Sequence, residues 1–262
     1  MSGMPAAPVP SSSASITAVV TPSSTVATLA PAGGAGVIDT SMISIIDYLR
    51  TNPVENADVY ALLDRTDRAR LSQLLSDVDA VDASKFDKTV HVGKTAKQFE
   101  SEKSGKKGKL FEEITKTFLS GVACFDVHPN VVTSTNQLDV LVTLGPWAYA
   151  VPIFHQWGTH FVCECKFEDR GIAVEWLQKL ESLLGTHGAK VGLLISKKPA
   201  SKGTRGNIPH KLQLFAMKGV YIICISRQDL DKIAGGAALI PMIVERYIAV
   251  QMGVASIMAP SI

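Results

Sequence analysis

The chain has little of several things, and each shortage narrows what it can be. Its first 36 residues hold no charged side chain, and the first Lys or Arg is Arg50, so no basic n-region precedes an apolar run. A secretory signal peptide is therefore not expected. Cysteine is sparse: Cys124, Cys163, Cys165 and Cys224 all sit in apolar, strand-like contexts, and none forms a C-x-x-C pair. That excludes a disulfide framework and points to a reducing, cytoplasmic setting. An excess of one charge is also missing, because 26 Lys and Arg face 24 Asp and Glu for a net charge of +2. A uniformly basic nucleic-acid coat is excluded, and any affinity for phosphate must come from local clusters. The most apolar late segment is interrupted by Glu245 and Arg246, so no membrane span is expected.

What the chain does have is apolar content, 46% over 262 residues, enough for one substantial core. Residues 1–36 are dominated by Ser, Thr, Pro, Ala, Val and Gly without a sustained period and read as a disordered, low-complexity leader. From there to residue 92 the apolar positions recur at helical spacing, first Met42, Ile45, Ile46 and Leu49, then Leu71, Leu74, Leu75 and Val78. This predicts a helical region, 37–92, distinct from an α/β core. Residues 93–236 carry alternating strand and helix patterns and form the expected α/β domain; residues 237–262 read as an apolar, amphipathic or oligomer-forming tail.

Within 93–236, GKLFEEITKTFLSG places Leu110, Phe111, Ile114 and Phe118 on one helical face and ends at Gly121. Strands are expected at 122–127, 136–144 and 160–167, then a helix over 173–184 with Ala173, Trp176, Leu177, Leu180 and Leu184 as its apolar stripe. The run VGLLIS follows, apolar on both faces as for a central parallel strand, and VYIICIS completes another α/β unit. The order is αβββαβ, an α/β fold with a mixed central sheet.

The stretch HFVCECKF is the one around which the chemistry gathers. Alternation puts His160, Val162, Glu164 and Lys166 on one face and Phe161, Cys163, Cys165 and Phe167 on the other. Two residues' rise holds Glu164 and Lys166 about 7 Å apart along the strand, on a face expected to lie at the lip of the core. Asp139 stands on the polar face of the preceding strand, and Glu112 or Glu113 on the helix before it. Two carboxylates and a backbone carbonyl offer hard oxygen ligands to Mg²⁺, and a lysine beside them can orient a water and offset charge at a phosphodiester. Two basic stretches flank this region. Lys106, Lys107 and Lys109 lie in the first, and Lys197, Lys198, Lys202 and Arg205 in the second, as a phosphate-tracking groove requires.

These residues resemble the restriction-endonuclease-like, or PD-(D/E)XK, nuclease superfamily, with the methyl-directed type IV restriction endonucleases and the archaeal Holliday junction resolvases nearest. The resemblance spans residues 106–233 and rests on the element order, GKLFE, the Asp of QLDVLV and the ECK of FVCECKF. It implies that Asp139 and Glu164 ligate Mg²⁺, with Mn²⁺ as a substitute, and that the Cys165 carbonyl is a backbone ligand. Lys166 becomes the catalytic lysine and Glu112 the helix acid. It further implies an endonuclease acting on nucleic acid, DNA before RNA, with a homodimer as one assembly. Leu138 stands where the motif has proline, and WAYAVPIFHQW lengthens the hairpin. The rivals are a non-catalytic nucleic-acid-binding or assembly module on the same fold, and a zinc site from His155, His160, Cys163 and Cys165.

Overall fold

A computed structural model of the chain describes residues 56–134, 136–199 and 208–254. The expected leader, the helix predicted over 42–49, Lys202 and Arg205 lie outside them.

The described residues form an α/β fold: a five-stranded mixed sheet with seven α-helices. Two helices, α1 (Asn56–Leu63) and α2 (Arg68–Ala83), lead to the long α3 (Ala96–Ser120). Then come β1 (Phe125–Val132), β2 (Gln137–Leu144), two short 3₁₀ turns, and β3 (His160–Lys166). The helix α4 (Val174–His187) crosses to β4 (Val191–Ser196), and α5 (Ile208–Ala216) crosses to β5 (Tyr221–Ser226). Helices α6 (Arg227–Ala234) and α7 (Leu239–Met252) close the described chain. The strands lie in sequence order; β1, β2 and β3 are antiparallel neighbours, and β3, β4 and β5 run parallel. β1 begins later and runs further than the sequence suggests, because its polar half, HPNVV, still pairs with β2.

Local signals explain the ends of α3. A capping box starts it, with Gln98 N–H donating to the Thr95 hydroxyl and Thr95 N–H to the Gln98 side chain. Gly121 stops it at a point where a Cβ would lie 2.5 Å from the Thr66 Cα. That close approach ties the α1–α2 connection to the sheet, since Arg65 N–H donates to the Gly121 carbonyl and Ala123 N–H to that of Leu63. The first basic stretch, with Lys106, Lys107 and Lys109, lies within the first four turns of this helix; burial begins only at Phe111, Ile114, Thr115, Phe118 and Leu119.

Both faces of the sheet are covered. On one, Leu71, Leu74 and Val78 of α2 join Phe111, Ile114 and Phe118 of α3 with Val140, Val142, Phe161 and Cys163 in a single core. On the other, Trp176, Leu177 and Leu180 of α4 pack on Val162 and Leu194, with Leu212 and Ile222 beyond. This packing takes in parts of two of the expected segments. The described part of the 37–92 region shares the core of the sheet rather than standing apart from it. The described part of the apolar 237–262 segment is α7, which buries Leu239, Ile240, Ile243, Tyr247 and Val250, and its buried Arg246 pairs with Asp229.

Candidate active site

The site lies where β2 and β3 part. Their antiparallel ladder ends with Val140 opposite Cys163. The next ladder donor of β3, the Cys165 N–H, is taken not by β2 backbone but by the Asp139 carboxylate at 2.8 Å. Because a strand residue turns its N–H and C=O to the same side, the Cys165 carbonyl also faces the β2 side. The Asp139 side chain thus completes the edge that the diverging strands leave open.

Glu164 is the other carboxylate, and its surroundings differ from the expectation. It shares a face with Lys166 as alternation requires, but that face is covered by α4, and the Glu164 side chain is 0% exposed. Trp176, Leu177 and Leu180 cover what the charges alone suggested was an open lip. Its Oε1 accepts from Lys166 Nζ at 2.6 Å and from Lys179 Nζ at 2.5 Å. Its Oε2 is buried and has no hydrogen-bond partner. Burial, then the negative charge of Glu164, raises the Asp139 pKa above its ordinary 3.8, against the Cys165 N–H and the two lysines. For Lys166, burial works against the charge, but the hydrogen bond it donates to Glu164 and the attraction of both carboxylates win and raise its pKa above 10.5. Lys166 is therefore an ammonium at neutral pH.

Lys179 is not among the residues that the sequence singles out. The signal was there: position 179 lies three after Trp176 and four before Leu183, both buried, so a lysine interrupts the stripe that faces the sheet. Glu112 is held by Asn130, whose Nδ2 donates to its Oε2 at 3.3 Å. Asn130, in the left-handed region at φ 53°, sits between Pro129, paired with Val140, and Val131, paired with Leu138, hence across from Asp139. Glu113 pairs with Arg70 instead. The sheet thus gathers Asp139, Glu164, Cys165 and Lys166, adds Lys179, and links Glu112 to them only through the neighbouring strand.

The donor set fits a divalent cation in two respects: two carboxylates from adjacent strands repel one another, and one buried oxygen lacks a partner. Among the described residues no group of three or more His, Cys, Asp or Glu side chains is arranged to hold a metal, so a third ligand would have to be the Cys165 carbonyl. The zinc alternative does not assemble. Cys165 faces α3, its sulfur 3.2 Å from the Thr115 hydroxyl, and burial pushes its thiol up to about 12. The rings of His155 and His160 are engaged with the carbonyls of Tyr149 and His187.

The two basic stretches meet, but around an acid. Lys107 pairs with Asp82 of α2 at 2.8 Å, and Lys197 pairs with both Asp82 and Asp169. Against the cost of burial, these two lysines hold Asp82 below its ordinary carboxylate value. Both ammonium groups also lie over the Phe167 ring, at 5.6 and 5.2 Å from its centroid. Lys106, Lys109 and Lys198 are exposed. No helix among the described residues is long and apolar enough to cross a membrane. Compared with known protein families, characterised proteins and solved structures, the chain matches none. The functional reading rests on the site's own residues.

Proposed function

We propose that this protein is a divalent-cation-dependent nuclease that hydrolyses phosphodiester bonds, with DNA as the first substrate to consider. The observation that carries the reading is the meeting of Asp139, Glu164 and Lys166 at the parting of two strands, with one buried Glu164 oxygen left without a partner. The αβββαβ order around it is the order of the restriction-endonuclease-like core, which supports the same reading.

Asp139, Glu164 and the Cys165 carbonyl would hold Mg²⁺ or Mn²⁺, which when bound supplies a Lewis acid and a more acidic water. Asp139 is fixed for this by its bond to Cys165 N–H, which engages one of its two oxygens. Lys166, protonated throughout the neutral range, serves as a donor rather than a base: it orients the attacking water and offsets the charge that gathers on the phosphate oxygens. Lys106, Lys109 and Lys198 are exposed and would track the backbone; Lys202 and Arg205 of the same basic stretches lie outside the described residues.

A second reading, a nucleic-acid-binding or assembly module without cleavage, is favoured by the double occupation of Glu164 Oε1 by lysines. One assay separates them: the full chain with Mg²⁺ or Mn²⁺ on plasmid, linear, methylated and branched DNA and on RNA. The nuclease reading expects cleavage that chelation abolishes and that Lys166→Ala reduces by about 10³-fold, within the range of a lost electrostatic donor. Retained binding with no cleavage of any of these substrates, or wild-type cleavage by Lys166→Ala, would overturn it.

A further inference from the structure

The Glu164 carboxylate is wholly buried, yet two ammonium groups bond the same oxygen while the other has none. One lysine would already make an ion pair. The second is placed differently from the first: Lys166 is 21% exposed and rises from the strand itself, whereas the Lys179 side chain is 51% exposed and reaches in from the surface of α4. Nothing else in the described structure holds the Lys179 ammonium, so it can swing to solvent without breaking a second contact.

Charge balance gives that arrangement a use. Asp139 and Glu164 carry two negative charges, and Lys166 and Lys179 two positive ones, so the cluster is neutral. A divalent cation seated on the carboxylates brings two more positive charges into a space sheltered by Trp176 and the sheet. Like charges at a few Å in such a place repel strongly. The charge with an open way out is that of Lys179.

We infer that Lys179 competes with a divalent cation for Glu164 and is released from it when the cation binds, which makes it an internal regulator of cation affinity. The inference rests on the reading of Asp139 and Glu164 as cation ligands. On this account Lys179 is a positioning residue: it keeps a buried carboxylate compensated and sets the cation concentration at which the site fills. Lys166 stays, because both carboxylates attract it and its stem is part of β3.

The test needs no substrate. Mn²⁺ is titrated into the full-length wild-type, Lys179→Met and Lys179→Arg proteins, and the free ion is followed by electron paramagnetic resonance. Removing a unit charge beside the cation should tighten binding by at least about tenfold in Lys179→Met, while Lys179→Arg stays near wild type. In the unmutated chain, acetylation of Lys179, read by mass spectrometry, should speed up on adding Mn²⁺, while that of the exposed Lys190 should not. Unchanged or weaker Mn²⁺ affinity in Lys179→Met, or a labelling rate indifferent to Mn²⁺, overturns the inference alone. Absence of Mn²⁺ binding to every protein overturns it together with the cation-site reading beneath it.

Discussion

Asp229 and Glu164 are both buried carboxylates that meet positive side chains, and the contrast between them is instructive. Asp229 has a partner for each oxygen: Arg246 forks onto both, at 2.6 and 2.9 Å, and the Ser226 N–H and hydroxyl each donate at 2.7 Å. Burial opposes its charge, but Arg246 and Ser226 outweigh that and hold its pKa below 3.8. Around Glu164 the same groups are unevenly shared, one oxygen doubly bonded and one bare, and the neighbouring Asp139 is pushed the other way. A satisfied buried charge ties β5, α6 and α7 together. An unsatisfied one is kept at a cost that a ligand can relieve.

The largest effect that could break this contrast is on stability. Arg246→Met should destabilise the protein by about 3–5 kcal/mol in urea unfolding, since it leaves Asp229 charged and without a route to water. Glu164→Met should change stability by less than about 1 kcal/mol, because Lys179 can turn its ammonium group to solvent while Lys166 keeps the attraction of Asp139. Equal losses would erase the distinction.

The pH dependence should separate the two sites by sign. Asp229, with its pKa lowered in the fold, contributes stability that is present above 3.8 and is lost as pH falls through its depressed value. Asp229→Asn should therefore be less stable at neutral pH, with the deficit closing in acid below 3.8. Asp139, with its pKa raised, has the opposite linkage: its contribution is fully present below 3.8 and lost as pH rises through the folded value. Asp139→Asn should then gain stability at neutral pH, and the gain should vanish as pH falls toward 3.8. Unfolding midpoints measured from pH 3 to 8 check both.

The smallest expected effect concerns the surface lysines, and it extends the contrast to paired and free charges outside the core. Replacing Lys106, Lys109 and Lys198 by Ala should weaken binding to DNA and lower the slope of log affinity against log salt by about one to three. Replacing Lys107 and Lys197 should cost less binding, since both are committed to Asp82.

Much of this was legible in the sequence, for identifiable reasons. Strand alternation put Glu164 and Lys166 on one face, and unbroken apolar runs marked β4 and β5 as buried strands. What escaped depends on contacts far apart in sequence. The face carrying Glu164 reads as solvent-exposed because it bears charges; only the packing of α4 buries it. Asp82 meets Lys197 across 115 positions, which no local period encodes. Arg246 looked like a break in an apolar tail because its partner, Asp229, belongs to another helix.

The most direct test of the account measures cleavage and unfolding together on Asp139→Asn. The substitution keeps an acceptor for the Cys165 N–H and removes one charge from a crowded pair. Mg²⁺-dependent cleavage of DNA should fall by about 10³-fold while the urea midpoint at pH 7 holds or rises. Wild-type cleavage together with a stability loss as large as that of Asp229→Asn would contradict it, and would make Asp139 a structural cap on a parted strand.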